Sequence, residues 1–202
     1  VGLVEWLGCG GIGVKILRSD AFKQVPWRNG GGVTQEIAIY PDGAGADSWQ
    51  WRISMASVTT PGPFSMFPKI DRVLTVIEGA GMELSFGGAA PSTVVIGNDP
   101  ISFAGDVPCA SDLKNGPIRD LNIMTRRGQW RADVRHADYF DSKNHPVHHI
   151  VFAAHGPVDG MAGEDRFTLN TKDALWLSRR ETQPINLAGR WLDIQLFPAA
   201  SD

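Results

Sequence analysis

The densest chemistry in the sequence lies in Trp27-Arg28-Asn29-Gly30-Gly31-Gly32, followed closely by Thr34 and Glu36. Three consecutive glycines let backbone N–H groups approach a bound anion, and Asn29 adds an amide that both donates and accepts. A carboxylate or phosphate is the ligand such a nest suits. The same residues also make an ordinary hairpin turn, since Asn-Gly is a favoured turn pair; the two readings are compatible and both stay open. A second group lies on alternating positions further along. Arg52 and Ser54 share one side of a strand-like run beside Pro61–Phe67, where Phe64 sits. Arg72 follows, and Asp120 and Asn122 alternate with Leu121 and Ile123. An arginine facing a barrel interior binds a carboxylate through its planar fork of donors. Any one of these residues alone fits a solvated sheet face better, so a site here requires that several converge.

Other chemistries fit less well. The histidines are His136, His145, His148, His149 and His155, and no H-x-H or HExxH occurs. Adjacent His148 and His149 would point to opposite faces of a strand, so a surface cluster near Asn144–His149 is the better account than a metal site. No GxSxG occurs, and Cys109 has no nearby histidine in sequence. Asp71 with Glu78, or Asp99 with Asp106, could pair for acid–base work, but solvated turn acids are the commoner case. Gly8-Cys9-Gly10-Gly11-Ile12-Gly13 matches a dinucleotide fingerprint, but no periodic helix follows to hold a pyrophosphate. A flexible or non-native leader over residues 1–13 is the expectation there.

The elements that must position these residues are short. The chain has 202 residues, with 23 Gly and 13 Pro. These breakers make up about 18% of the chain against a usual ~12%, which excludes long helices. Period-two alternation predicts strands at Thr34–Tyr40, Trp49–Val58, Ser92–Ile96, Ile101–Ala104 and Ile118–Arg126, and two more within Arg72–Phe86 turned at Glu78–Gly81. In the first of these, Ile37 and Ile39 take one face and Thr34, Glu36 and Ala38 the other. The second half repeats the pattern at His148–Ala154, Arg166–Leu169, Ala174–Ser178, Pro184–Leu187 and Arg190–Phe197. Only Asp20–Gln24 and Ala137–Ser142 look helical, and Gly128–Asn144 reads as a polar stretch between the halves. The fold class is therefore all-β, a sandwich, jelly roll or barrel. Seven Trp and nine Phe exclude disorder, and a net charge of −3 offers no footprint for nucleic acid. No apolar run approaches the roughly 18 residues of a membrane helix. Two cysteines 100 residues apart form no disulfide framework, so a cytoplasmic protein is expected.

Taken together, five blocks resemble the HutD/Ves family of bacterial proteins: WRNGGGVTQEI at Trp27–Ile37, WRISMASV at Trp51–Val58, PGPFSMFPKIDRVLTVIEGAGMEL at Pro61–Leu84, PISFAGD at Pro100–Asp106, and LKNGPIRDLNIMTRRG at Leu113–Gly128. The resemblance runs from residue 14 to about 200. It implies a bicupin of the cupin superfamily, two fused jelly-roll (RmlC-like) half-barrels over about 14–118 and 119–202. It also implies a role in histidine utilisation, as a non-catalytic regulator that binds a pathway intermediate such as N-formylglutamate or urocanate. Lys69, Asp71 and Arg72 stand where a metal cupin places histidines, and Phe103–Asp106 lacks one. A metal-free, cofactor-free and cationic lumen is the expectation.

Carried over block by block, Arg52 and Arg72 are the expected carboxylate anchors. Asn29 and the amides of Gly30, Gly31 and Gly32 take a polar head, while Ser54 and Asn122 orient the ligand. Thr34 belongs to the same set. Trp27 and Phe64 supply an apolar wall, and Glu36 and Asp120 hold the arginines in place. The competing reading is a cupin-type enzyme, metal-dependent or a metal-free isomerase; a Ves-type stress-induced protein and a homodimer paired through strand edges are left open. Neither nucleic acid nor membrane is an expected partner.

Overall fold

The structure, a computed structural model, describes residues 4–7, 14–27, 32–45, 47–87, 90–141, 146–178 and 184–199. Alternating apolar positions cut into short runs by Gly and Pro become strands, as period-two burial requires. In the first part of the chain these are β1 (Val4–Leu7), β2 (Val14–Leu17), β3 (Lys23–Pro26), β4 (Gly32–Tyr40), β5 (Trp51–Val58), β6 (Gly62–Pro63), β7 (Ile70–Glu78), β8 (Met82–Phe86), β9 (Ser92–Val94), β10 (Ile101–Ala104), β11 (Cys109–Leu113) and β12 (Ile118–Arg126). Then come β13 (Trp130–Ala137), β14 (His148–Phe152), β15 (Val158–Ala162), β16 (Asp165–Leu169), β17 (Ala174–Ser178), β18 (Ile185–Ala188) and β19 (Trp191–Pro198). Among the described residues, helix is limited to one 3-10 turn at Ser19–Ala21, so no helix is long and apolar enough to cross a membrane.

The chain divides into two units, one built on Lys23–Arg131 and the other on Ala132–Pro198 with the N-terminal residues up to Phe22. The first half-barrel has a six-stranded sheet ordered β10-β7-β12-β5-β4-β3 and a four-stranded sheet β6-β11-β8-β9. Val58, Leu74, Val76 and Ile118 of the larger sheet meet Met82, Leu84, Val94 and Cys109 of the smaller in one buried cluster. Burial of each such large aliphatic side chain is worth about 1.5–3 kcal/mol. The second half-barrel pairs a sheet β1-β2-β17-β14-β19-β13 with a three-stranded sheet β16-β15-β18. Its core joins Val14, Val151, Leu175 and Trp191 to Val158, Phe167 and Leu169.

Several expectations are corrected. The halves do not divide at residue 118: β12 is central to the first half-barrel, and β2 pairs with β17 in the second. Part of the supposed leader, Val4–Leu7, is an edge strand antiparallel to Val14–Leu17; Gly8–Gly13 lie outside the described residues. The polar stretch 128–144 contains β13, and no helix forms at Ala137–Asp141 among the described residues. The alternation of β4 fails at Ile37, because a bulge makes Glu36 face Ser54 while Ala38, not Ile37, faces Ile53.

Candidate functional site

Three adjacent strands build the site. β12 runs between β5 and β7, with Asp120 opposite Ala56, Asn122 opposite Ser54, and Met124 opposite both Arg52 and Arg72. Opposed residues in a sheet share a face, so these side chains lie on one side. The other side carries Trp51, Ile53, Leu121 and Ile123, all buried. Along the shared face the chemistry is graded. Val58, Val76 and Ile118 enter the apolar core, while Arg52, Ser54, Arg72, Asp120 and Asn122 form a polar layer beyond it. That layer lines a cavity of about 420 Å³, a size suited to a small molecule.

Arg72 is the central group. It is 5% exposed, and its Nε donates a long 3.4 Å hydrogen bond to Asn122 Oδ1. Its guanidinium carbon lies 5.0 Å from the Phe103 ring centre, 5.1 Å from Phe64 and 5.7 Å from Phe67. Among the described residues no carboxylate forms an ion pair with it. Burial lowers its pKa, against the pull of Asp120 and Cys109, yet an arginine remains a cation at neutral pH. The cage of three phenyl rings accommodates the positive charge without neutralising it. Burial also raises the Cys109 thiol, against Arg72, which disfavours a nucleophilic thiolate.

Asp120 is 2% exposed, and its Oδ1 has no hydrogen-bond partner. Burial pushes its carboxyl up to about 7, against the opposing charge of Arg72 and a hydrogen bond with the Ala56 backbone. Arg52 is half-buried and tied at 2.9 Å through Nε to Glu36 Oε2. Trp27 Nε1 donates to Thr34 Oγ1 at 2.8 Å, fixing the indole as a wall.

The residues expected from sequence are thus largely brought together: Trp27, Thr34, Arg52, Ser54, Phe64, Arg72, Asp120 and Asn122 all line the cavity. Glu36 acts on it through Arg52 and is not itself a wall. Asp120 does not clamp Arg72: among the described residues no ion pair joins them, and Asp120 acts on Arg72 only through its charge. Asn29, Gly30 and Gly31 lie outside the described residues. Gly32 is not a wall either. A Cβ there would sit 2.3 Å from the Ser57 carbonyl oxygen, so close strand pairing is what demands this glycine. Sequence reasoning misses Phe67, Ser65, Met124 and the Phe103 ring. Met124 continues the alternation of Asp120 and Asn122 and is legible in that pattern.

A metal does not fit these walls. They carry two guanidinium groups and one carboxylate, with no imidazole or thiol among the described lining residues.

The corresponding positions of the second half-barrel are differently filled. There β19 runs between β14 and β13, and Gln195 lies opposite His149 of β14 as Met124 lies opposite Arg72. Counting back along β19 as along β12, Asp193 matches Asn122 and Trp191 matches Asp120. His149 Nε2 is 2.5 Å from Asp193 Oδ1, Gln195 Nε2 donates to Oδ2 at 2.9 Å, and Arg135 approaches Oδ2 at 3.4 Å. Phe140 stacks on the His149 ring. Burial would raise the Asp193 carboxyl, but His149, Gln195 and Arg135 outweigh it and hold it below the usual range. The surface histidine cluster expected from sequence is therefore corrected: His148 and His149 are both buried, and His145 lies outside the described residues.

Comparison with known proteins follows the same lines. The family model described as HutD matches residues 19–192. A 21.2 kDa protein in the hutC 3' region of Pseudomonas putida is 32% identical over 190 residues, covering 91% of this chain and 97% of that protein. Protein Ves of Cronobacter sakazakii is 42% identical over 113 residues, covering 55% of this chain and 60% of that protein. Among solved structures, HutD from Pseudomonas fluorescens SBW25 matches with a TM-score of 0.79 at 29% identity, covering 93% of this chain and 100% of that one. A cupin 2 conserved barrel domain protein from Leptotrichia buccalis matches in fold alone, with a TM-score of 0.53 at 10% identity over 87% of this chain and 96% of that one. The architecture is the bicupin expected from sequence.

Proposed function

This chain is a member of the HutD family, and we propose that it is a non-catalytic binding protein for a small carboxylate, acting as a regulator of histidine utilisation in the cytoplasm. The observation that carries the ligand class is Arg72, a buried cation open to a cavity and lacking an ion-pair partner among the described residues. An unpaired buried charge is costly, and a carboxylate entering the cavity offsets that cost with charge-assisted hydrogen bonds. Arg52 supplies a second cation, and Ser54 and Asn122 orient the occupant. The Pseudomonas putida relative in the hutC 3' region supports the link to histidine utilisation, and N-formylglutamate- or urocanate-like molecules are the ligands of choice.

Calorimetric titration tests this directly. N-formylglutamate, urocanate or glutarate should bind, and Arg72→Ala should weaken that binding strongly. Absence of binding by all three at millimolar concentration overturns the ligand class.

One observation favours a second reading, a metal-free isomerase. Asp120, with its carboxyl near 7 inside a cavity, has the acidity of a general acid–base group. Incubating N-formylglutamate with the protein in D2O and following Cα–H exchange by NMR separates the two: exchange supports catalysis, and its absence supports binding alone.

A further inference from the structure

The cavity holds two guanidinium groups, yet their charges are not equally available. Arg52 on β5 and Arg72 on β7 both lie opposite Met124 of β12, so they share a face two strand spacings apart, roughly 10 Å. That spacing alone would suit a small dicarboxylate with one acid group on each arginine. The carboxylates nearby decide otherwise. Glu36 of β4 accepts a hydrogen bond from Arg52 Nε at 2.9 Å, which balances the Arg52 charge before any ligand arrives. The remaining donors of Arg52 can still hold a polar group, but no net charge is left there for an anion to neutralise.

Arg72 is placed differently. Its Nε donates to the neutral amide of Asn122, and the rings of Phe64, Phe67 and Phe103 around it carry no charge. Asp120, buried along the same face, adds no positive charge in either protonation state. The charged groups among the described lining residues are thus Arg52, Arg72 and Asp120, with Glu36 behind Arg52. Two cations stand against one or two anions, so the surplus is at most one positive charge. The other walls are neutral, with Trp27, Pro63 and Met124 apolar and Thr34, Ser65 and Asn122 polar. A second ligand carboxylate drawn into this space would give up water without meeting an unbalanced cation, which is costly. A neutral amide or ring in the same place gives up far less.

Resting on the carboxylate reading above, we propose that the site selects monocarboxylates, with the acid group on Arg72 and a neutral body against Arg52 and the aromatic wall. Glu36 is the positioning residue that sets this preference, because it has already taken the charge of the second arginine. Dicarboxylates bind more weakly. Of the two kinds of molecule named above, the urocanate-like one fits this balance better than the N-formylglutamate-like one.

Isosteric pairs test this on the intact chain, by calorimetry at about pH 8, where every ligand carboxyl is ionised. Glutarate is compared with its monoamide, and N-formylglutamate with N-formylglutamine, so that only one acid group changes. The monocarboxylate of each pair should bind about tenfold or more tightly. Glu36→Gln, a conservative change at a half-buried position, frees the Arg52 charge and should abolish or reverse that preference through a gain by the dicarboxylate. Equal or tighter binding of the dicarboxylate in either pair overturns the proposal with the unaltered protein alone, whether or not the variant folds. A preference that survives unchanged in folded Glu36→Gln also overturns it, since charge balance is then not the cause. If dicarboxylates bind at least as well and Arg72→Ala weakens every compound, carboxylate anchoring stands and the selection falls. If none of the four compounds binds at millimolar concentration, both fall together.

Discussion

Arg72 on β7 and His149 on β14 occupy matching register positions beside β12 and β19 of their half-barrels, yet their surroundings are opposite. His149 meets Asp193, which also takes up Gln195 and Arg135, and Trp191 fills the space further along the strand. Arg72 meets three phenyl rings and one long amide contact, and the space further along is a cavity reaching Asp120. One half-barrel has closed its polar network on itself. The other leaves a buried cation beside a cavity, with no carboxylate paired to it among the described residues. Buried polar groups that satisfy one another serve stability, whereas groups left open serve a ligand at some expense to stability. The same strand framework thus separates a structural core from the proposed binding site by side-chain choice alone.

The sharpest way to break this contrast is Trp191→Ala. It should destabilise the chain by about 3–5 kcal/mol, measured by chemical denaturation, because a fully buried indole leaves a large void. Next, Arg72→Ala should weaken carboxylate binding by about 2–3 kcal/mol in titration calorimetry. Arg72→Met should bind no better, yet its melting temperature at pH 6, where Asp120 is mostly protonated, should equal or exceed that of the parent. A large loss of stability in Arg72→Met would place Arg72 among the structural residues and dissolve the contrast.

The two buried aspartates should give opposite pH signatures. Asp120 has a folded pKa of about 7, so the folded state keeps a proton that the unfolded chain releases from about pH 4 upward. Its contribution to stability therefore falls between about pH 4 and 7 and is flat above. Thermal melts across this window should show Asp120→Asn flattening that decline. Asp193 is lowered instead, so its stabilisation is present above the ordinary carboxylate range and lost as pH falls below it. Asp193→Asn should remove that acid-side loss. The smallest effect belongs to Arg52→Ala. Its ion pair with Glu36 is partly exposed on both sides, so stability should change by about 1 kcal/mol or less, and less still at high salt.

Alternation alone makes much of this site legible in the sequence. Arg52 and Ser54 against Trp51 and Ile53, and Asp120 and Asn122 against Leu121 and Ile123, assign each residue to a face without further help. Alternation does not say what lies across from that face. The rings around Arg72 come from Phe64 and Phe67, on the segment after β6, and from Phe103 on β10, which only the folded sheet brings together. The bulge at Ile37 has no signature in TQEIAIY, so simple alternation puts Ala38 and Ile39 on the wrong faces. β13 is silent in the sequence because, apart from Trp130, its residues are half-buried or exposed and show no apolar period. His149 reads as a surface residue because its partner Asp193 is 44 residues away along the chain.

The register of β12 has a consequence for how such a protein can diverge. Its odd and even positions serve two masters: Asp120, Asn122 and Met124 line the cavity, while Leu121, Ile123 and Thr125 are buried on the reverse side. Inserting or deleting one residue within the strand would exchange the two sets at a stroke, sending charge into apolar packing and isoleucine into the cavity. Descendants that acquire a new ligand must therefore do so by replacing alternate residues one at a time. Length changes are confined to the turns on either side, and the strand itself evolves as if every second letter were written in a separate text.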